Sequence, residues 1–351
     1  MLDWSYIFVL FLSFLLSLAL TPVIIAVSHR FSIYDYPGKH KRHKKPTPIL
    51  GGTAVTLAVW AGLAVFLFIK AEALGDIRAA LPHILAGSII IYIVGLIDDL
   101  RPLSAWVKLA AEVAAGLALY IGGLSVDFIS LPVLGSVPLD GLSMLITVFW
   151  VVALTNAINL IDGLDGLASG VSVIAAGATA LLGWLFLIDS VIIISLALLG
   201  ALLGFWFFNR YPARVFLGDC GSLQIGFFFA VISLIVPIKS FTTAALFIPL
   251  VALGVPLTET ISSFLRRLAA GRNVMEADRR HIFHYLLHFG LSPRQIVVLF
   301  YLSSLFFGLI SVSMFFFKRT AVLTILILFM VVIFVIYFIF ISRIRRSSAA
   351  K

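Results

Sequence analysis

Residues 141–187 read GLSMLITVFWVVALTNAINLIDGLDGLASGVSVIAAGATALLGWLFL, with a polar insert, NAINLIDGLDG at 156–166, between apolar runs at 141–158 and 167–187. A transmembrane helix needs roughly 20 apolar residues, and each run is close to that length. The insert carries two asparagines, two aspartates and glycines where lipid would reject them. The stretch therefore reads as two membrane helices joined by a polar loop at a membrane surface. Asp162 and Asp165 are each followed by glycine, so backbone and carboxylates can approach a phosphate, nucleotide or metal closely. A capped turn between helices would use the same residue types, and the remaining polar segments decide between the two readings.

Working outward, the same pattern recurs. Hydrophobic residues make up 62% of the 351 and charged ones 12%, against about a quarter charged in soluble domains. Further apolar runs fall at 5–27, 50–69, 82–97, 104–121, 190–208, 222–237, 242–265, 294–317 and 320–341. They are too long for barrel strands. The fold class is an all-α polytopic membrane protein, a bundle of about eleven transmembrane helices forming one integral-membrane domain over 1–351. The first run has neither a basic leader nor a small-residue cleavage site and reads as a retained span. The lone Cys220 excludes an intrachain disulfide.

An odd number of spans puts the termini on opposite faces. With the C-terminus cytoplasmic, only Lys70, Arg78, Lys239, Lys318 and Arg319 of the 25 Lys and Arg residues lie outside, which satisfies the positive-inside rule. The net charge of +9 is thus a topology signal and does not imply nucleic-acid binding.

The charged connections all fall on that cytoplasmic face. Residues 35–52, DYPGKHKRHKKPTPILGG, combine Asp35 with Lys41, Arg42 and His43, which suit an anion. Pro46 and Pro48 stiffen the chain, and Gly51 and Gly52 allow close packing at the next helix entry. A plain basic loop on anionic lipid is the alternative reading of this segment. The adjacent pair Asp98 and Asp99 calls for a cation, and oxygen ligands suit magnesium, with manganese as the alternative. Capping explains the pair less well, because acids at a helix C-terminus oppose the dipole. Lys108 and Glu112, one turn apart, are expected to pair with each other. The outer connection 122–140 is assigned no chemistry.

In 209–222, NRYPARVFLGDCGS, Asp219 opens an apolar helix and would complete a metal site with Asp98 and Asp99. Free N–H groups at that helix start would face a phosphate. Phe216 either stacks on a base or packs in the core. In 266–294, His281, His284 and His288 share a helical face. Arg279 and Arg280 beside them repel a divalent cation and favour phosphate.

Taken in order, these motifs resemble the polyprenyl-phosphate N-acetylhexosamine-1-phosphate transferase family, the WecA, TagO and MraY group. The resemblance rests on Asp35-x-Pro37, His43-x-x-Pro46-x-Pro48, Gly51-Gly52, Asp98-Asp99, Asn156, and Asn159 through Asp162 to Asp165-Gly166. It continues through Asn209, Phe216-Leu-Gly218-Asp219-x-Gly221-Ser222 and the Arg/His loop. The Arg266-Arg267 pair and Asp278-x-x-His281 look closer to the bacterial UDP-GlcNAc branch than to the muramyl-pentapeptide branch. Three positions depart: Phe283 where relatives carry a middle histidine, Ile49 where arginine is common, and Glu112 where glutamine is common.

What the resemblance implies is transfer of GlcNAc-1-phosphate, or a related N-acetylhexosamine-1-phosphate, from a UDP-sugar to undecaprenyl phosphate with release of UMP. This would be the first membrane step of cell-envelope glycopolymer synthesis. On this reading Asp98, Asp99, Asp219 and His281 are catalytic, and the first three hold Mg2+ or Mn2+. Asp35, Lys41, Arg42, His43, Asn156, Asn159, Asp162, Asp165, Asn209, Phe216, Arg279, Arg280, His281 and His284 contact the substrates. The partners are the UDP-sugar donor, the polyprenyl phosphate acceptor and membrane lipid; a homodimer is compatible with the reading. The location is the bacterial plasma membrane, multi-pass, with the active site and C-terminus cytoplasmic. A phospho-MurNAc-pentapeptide transferase is the alternative within the family. A secondary transporter is the alternative outside it, but its acids would sit near the midplane of repeated, interrupted helices.

Overall fold

The computed structural model describes residues 4–37, 45–75, 77–131, 135–239, 286–287 and 290–317. Among them run nine α-helices: α1 Trp4–Phe31, α2 Gly51–Lys70, α3 Leu81–Leu100, α4 Ala105–Ile121, α5 Ser143–Ile161, α6 Leu167–Leu185, α7 Asp189–Asn209, α8 Asp219–Lys239 and α9 Pro293–Phe316. Each coincides with one of the expected apolar runs. Seven of the described helices are long and apolar enough to cross a membrane, so the chain is an all-α polytopic membrane protein. The expected spans at 242–265 and 320–341 lie outside the described residues.

Two short antiparallel hairpins were not foreseen. Strand β1, Tyr34–Asp35, pairs with β2, Thr47–Pro48. Strand β3, Phe128–Leu131, pairs with β4, Gly135–Pro138, in the connection to which the sequence assigned no chemistry.

Helix α8 packs against α2, α3, α5 and α7, and α7 against α1, α2 and α6, while α9 lies on α6. Its sequence explains its place. A helix that is apolar all round has no face to offer water and is buried among other helices; Phe227, Phe228, Phe229, Val231 and Ile232 of α8 are all enclosed. Its polar side chains find partners on neighbouring helices. Trp150 Nε1 donates to Ser233 Oγ at 2.7 Å, and Gln224 Nε2 donates to Ser88 Oγ, which also accepts from Trp60 Nε1 at 2.7 Å. Within a membrane such bonds contribute about 0.6 kcal/mol each, so they specify register more than they supply stability.

Glycines set how closely the helix ends approach. Gly51 and Gly52 donate their N–H groups to the carbonyls of Phe216 and Leu217 at 3.0 and 2.8 Å, and Phe216 N–H returns to Pro48 O at 2.7 Å. A Cβ at Gly52 would lie 2.2 Å from Gly221 Cα, and one at Gly95 would lie 2.6 Å from Cys220 Cα. Both collisions are with backbone, which cannot swing aside. The start of α8 is therefore clamped between the N-terminus of α2 and the last turns of α3.

Gly52→Ala and Gly95→Ala are each expected to destabilise the fold by about 1–3 kcal/mol or more, as overpacking does. Gly177→Ala on α6, where a Cβ meets nothing within 4 Å, should lose no stability. Thermal unfolding in detergent compares the three.

Candidate active site

The end of the bundle that carries Asp99, the 162–166 loop and the start of α8 encloses a cavity of about 1090 Å³. Asp35 and Lys45 on the β1–β2 hairpin side line it, with Asp162, Asp165, Phe216 and Asp219. The described parts of the polar segments, carrying Asp35, Asp99, Asp162 and Asp219, do meet there. Phe216 is half-buried at the wall of this cavity.

Asp99 has a structural task that the sequence reading did not foresee. Its Oδ1 accepts the N–H of Asp219 at 2.7 Å and its Oδ2 accepts the N–H of Cys220 at 3.0 Å. It is thus a cap for α8, supplied from the C-terminal turn of α3 across 120 residues of sequence. The expectation that this helix start offers free N–H groups to phosphate is corrected for the same reason. Asp99 takes the first two, and Gly218 O accepts the N–H groups of Gly221 and Ser222 at 3.1 and 2.9 Å. Gly218 makes the turn with φ +73°, and a Cβ there would strike Ile49 O and the Asp99 carboxylate.

Lys108 is the residue the sequence reading underrated. It does not pair with Glu112; its ammonium lies 3.3 Å from Asp98 Oδ2 and 2.9 Å from Asp219 Oδ2. Asp98 also accepts the Leu103 N–H at 2.7 Å. Asp219 Oδ1 receives Asn159 Nδ2 at 3.0 Å, and the same amide donates to Ser222 Oγ at 2.9 Å. Glu112, buried on α4, instead accepts from Asn156 Nδ2 at 2.5 Å. The signal was available: an ionisable residue in a membrane helix is a functional candidate by default.

The expected substrate residues divide. Asn156 and Asn159 brace Glu112 and Asp219 from α5. Asn209 is 3% exposed and spends its amide internally, accepting from Ser169 Oγ at 2.6 Å and donating to Val215 O at 3.0 Å. Asp165 Oδ2 holds the Ala213 N–H at 2.9 Å while still lining the cavity. Lys41, Arg42, His43, Arg279, Arg280, His281 and His284 lie outside the described residues. The structure adds Trp206, Arg294 and Tyr301 to the cavity wall, with the Arg294 guanidinium 4.5 Å over the Tyr211 ring.

Asp162 lines this cavity, and the pKa of its carboxyl is raised from the usual carboxylate value to about 8. Burial is the main cause, and the negative charges of Asp219, Asp99 and Asp165 add to it. Below about pH 8 it holds a proton, whereas in the unfolded chain it would ionise near pH 4. The stability this proton linkage contributes is therefore present at acid pH and lost as pH rises towards 8.

No three His, Cys, Asp or Glu side chains among the described residues form a ready metal site, and Asp99 is already engaged. The donor set nonetheless fits a hard cation. Mg2+ is commonly held by only one or two carboxylates and completes its shell with substrate phosphate and water. Asp219 and Asp162 present carboxylate oxygens to this cavity and fit that kind of site.

Residues 81–237 match Glycosyl transferase family 4. Over 327 residues the chain is 36% identical to the probable undecaprenyl-phosphate N-acetylglucosaminyl 1-phosphate transferase of Bacillus subtilis (strain 168), covering 92% of this chain and 88% of that protein. It is 34% identical to the decaprenyl-phosphate N-acetylglucosaminephosphotransferase of Mycobacterium leprae (strain TN), over 80% of this chain and 77% of the relative. It is 32% identical to a phospho-N-acetylmuramoyl-pentapeptide-transferase of Shouchella clausii, over 88% and 97%.

Lys108→Met leaves Asp98 and Asp219 facing each other without their ammonium. A fully buried pair broken this way costs about 3–5 kcal/mol; with these side chains partly exposed we expect roughly 1–3 kcal/mol. Lys108→Arg, which keeps the charge, should recover part of the loss in the same detergent melting experiment.

Proposed function

The chain belongs to glycosyl transferase family 4, the polyprenyl-phosphate sugar-phosphate transferases, and from that membership we propose that it transfers GlcNAc-1-phosphate from UDP-GlcNAc to undecaprenyl phosphate, releasing UMP. The observation that carries the chemistry is that Asp162 and Asp219, the latter bonded to Lys108, line one cavity at the end of a membrane bundle. GlcNAc is favoured over the muramyl-pentapeptide donor because the relatives named for N-acetylglucosamine transfer match at higher identity.

Asp219 and Asp162 would hold the cation. With the donor diphosphate in place, such a cation would supply neutralisation of the charge that develops on the departing UMP. Lys108 orients the Asp219 carboxylate and offsets its charge, with Asn159 fixing the other oxygen. Asp98, committed to Lys108 and the Leu103 N–H, acts through Lys108 and not as a base. A phosphate monoester has its second pKa near about 6, so the acceptor arrives largely as a dianion and needs little proton abstraction. Its oxygen attacks the phosphorus that bears the sugar, and the bond from that phosphorus to the UMP oxygen breaks. Phe216 offers a ring to the uracil, Asp165 a carboxylate to the ribose, and Asp35 a further contact at the rim. Lys45 and Arg294 stand at the wall to receive phosphate. Lys41, Arg42, His43, Arg279, Arg280, His281 and His284 are the further candidates for holding donor and acceptor in line, the arrangement that supplies most of the rate.

Around this site we place about eleven spans in a single domain, with the cavity on the cytoplasmic face of a bacterial plasma membrane. The bias of Lys and Arg to the cavity-side connections supports that orientation.

Purified protein in detergent, given undecaprenyl phosphate, Mg2+ and each of UDP-GlcNAc, UDP-GalNAc and UDP-MurNAc-pentapeptide, should release UMP with UDP-GlcNAc. Asp219→Asn should remove nearly all of it, and EDTA should abolish it reversibly. Release with the pentapeptide donor alone would reassign the sugar; none with any donor in folded protein would refute the transferase reading. Because the cation needs Asp162 without its proton, the Mg2+ concentration for half-maximal rate should fall as pH rises from 6.5 to 8. Asp162→Asn should flatten that dependence.

A further inference from the structure

Helix α9 contributes a contact to the site that no sequence motif marks. Tyr301 lies on its second turn and a half, its ring over α6, and its hydroxyl donates a hydrogen bond to the Gly166 carbonyl. The same oxygen accepts Trp206 Nε1 at 3.0 Å. An indole N–H can only donate, so the single phenolic proton is committed to Gly166. The geometry around it is built to admit the phenol. A Cβ on Gly170 would lie 2.1 Å from the Tyr301 hydroxyl oxygen and 2.2 Å from Cζ, so only glycine fits under the ring. Gly166 itself turns with φ +75° as the N-cap of α6.

The loop that presents Asp162 and Asp165 is thereby tethered at adjacent residues from two sides. Ala213 N–H holds the Asp165 carboxylate at 2.9 Å, and Tyr301 holds the next carbonyl. Tyr301 and Trp206 also line the cavity, so the latch sits where a bound ligand would feel its loss. Tyr301 stands outside the 81–237 segment matched to the family.

We propose that Tyr301 is a positioning residue for the transfer reaction: its hydroxyl, oriented by Trp206, latches Gly166 and sets the 162–166 loop for the nucleotide sugar. This rests on the transferase reading above.

Tyr301→Phe removes one oxygen and keeps the ring. In protein that melts within a few degrees of the parent, KM for UDP-GlcNAc should rise about 3- to 10-fold, the size of one neutral hydrogen bond. KM for undecaprenyl phosphate should stay unchanged. Amide hydrogen exchange over 162–170 should accelerate, and that over α3 should not. Trp206→Phe should give a smaller effect in the same direction, and the double variant should be no worse than Tyr301→Phe, since both act on one latch. Unchanged donor KM and unchanged exchange in Tyr301→Phe would overturn the proposal. So would a parallel rise in both KM values with a lowered melting temperature, the signature of general packing. If the parent protein released no UMP while Tyr301→Phe still loosened 162–170, the transferase reading would fail and the latch would stand.

Discussion

The carboxylate of Asp99 bridging the last turn of α3 to the first N–H groups of α8 is the contact on which the site depends. A helix N-terminus carries unsatisfied donors, and the two oxygens of one carboxyl group accept the first two of them. Because one of the donors is the Asp219 amide itself, the cap that terminates α8 also fixes the backbone from which Asp219 projects. The approach is close enough that Gly95 and Gly218 must lack side chains. A largely apolar helix has no preferred face, so the polar clamp at its start adds to the Gln224 and Ser233 bonds in fixing where α8 begins.

Around that clamp the described residues carry more negative than positive charge. Asp98 and Asp219 share the Lys108 ammonium, Asn159 donates to Asp219, and Asp162 has no ion-pair partner among the described residues and is pushed to a high pKa. An excess of carboxylate in a cavity at a membrane surface disfavours an anionic ligand unless that ligand brings positive charge with it. A diphosphate accompanied by a divalent cation meets the condition. The charge arrangement thus explains why the described carboxylates do not make a free-standing metal site and yet suit a shared one.

The two asparagines of α5 show how the polar residues of a span divide their labour. Asn159 serves Asp219, while Asn156, one turn earlier, satisfies the buried Glu112. Both Nδ2 groups are committed within the protein. In a medium that offers no water to an orphaned polar group, each polar side chain is recruited first by its neighbours, and only those at the cavity wall keep a free edge.

Much of the molecule was legible along the chain. Hydropathy placed nine of the helices to within a few residues. The glycine and aspartate punctuation picked out Asp35, Asp162, Asp165, Phe216 and Asp219, all of which line the cavity. These are local properties: the length of an apolar run and the failure of a polar residue to fit lipid are set within about 20 residues. Tertiary structure alone decided what each polar group does. Asp99 stood where a helix dipole argues against capping, and it caps a different helix, 120 residues on. Lys108 had an acid one turn away and chose Asp98 and Asp219, and Asn209 turned inward to Ser169 and Val215. Tyr301 looked like one more aromatic in an apolar helix until α9 packed on α6. Hydrogen bonds and ion pairs depend on distances of about 3 Å, and those distances exist only after the helices have packed.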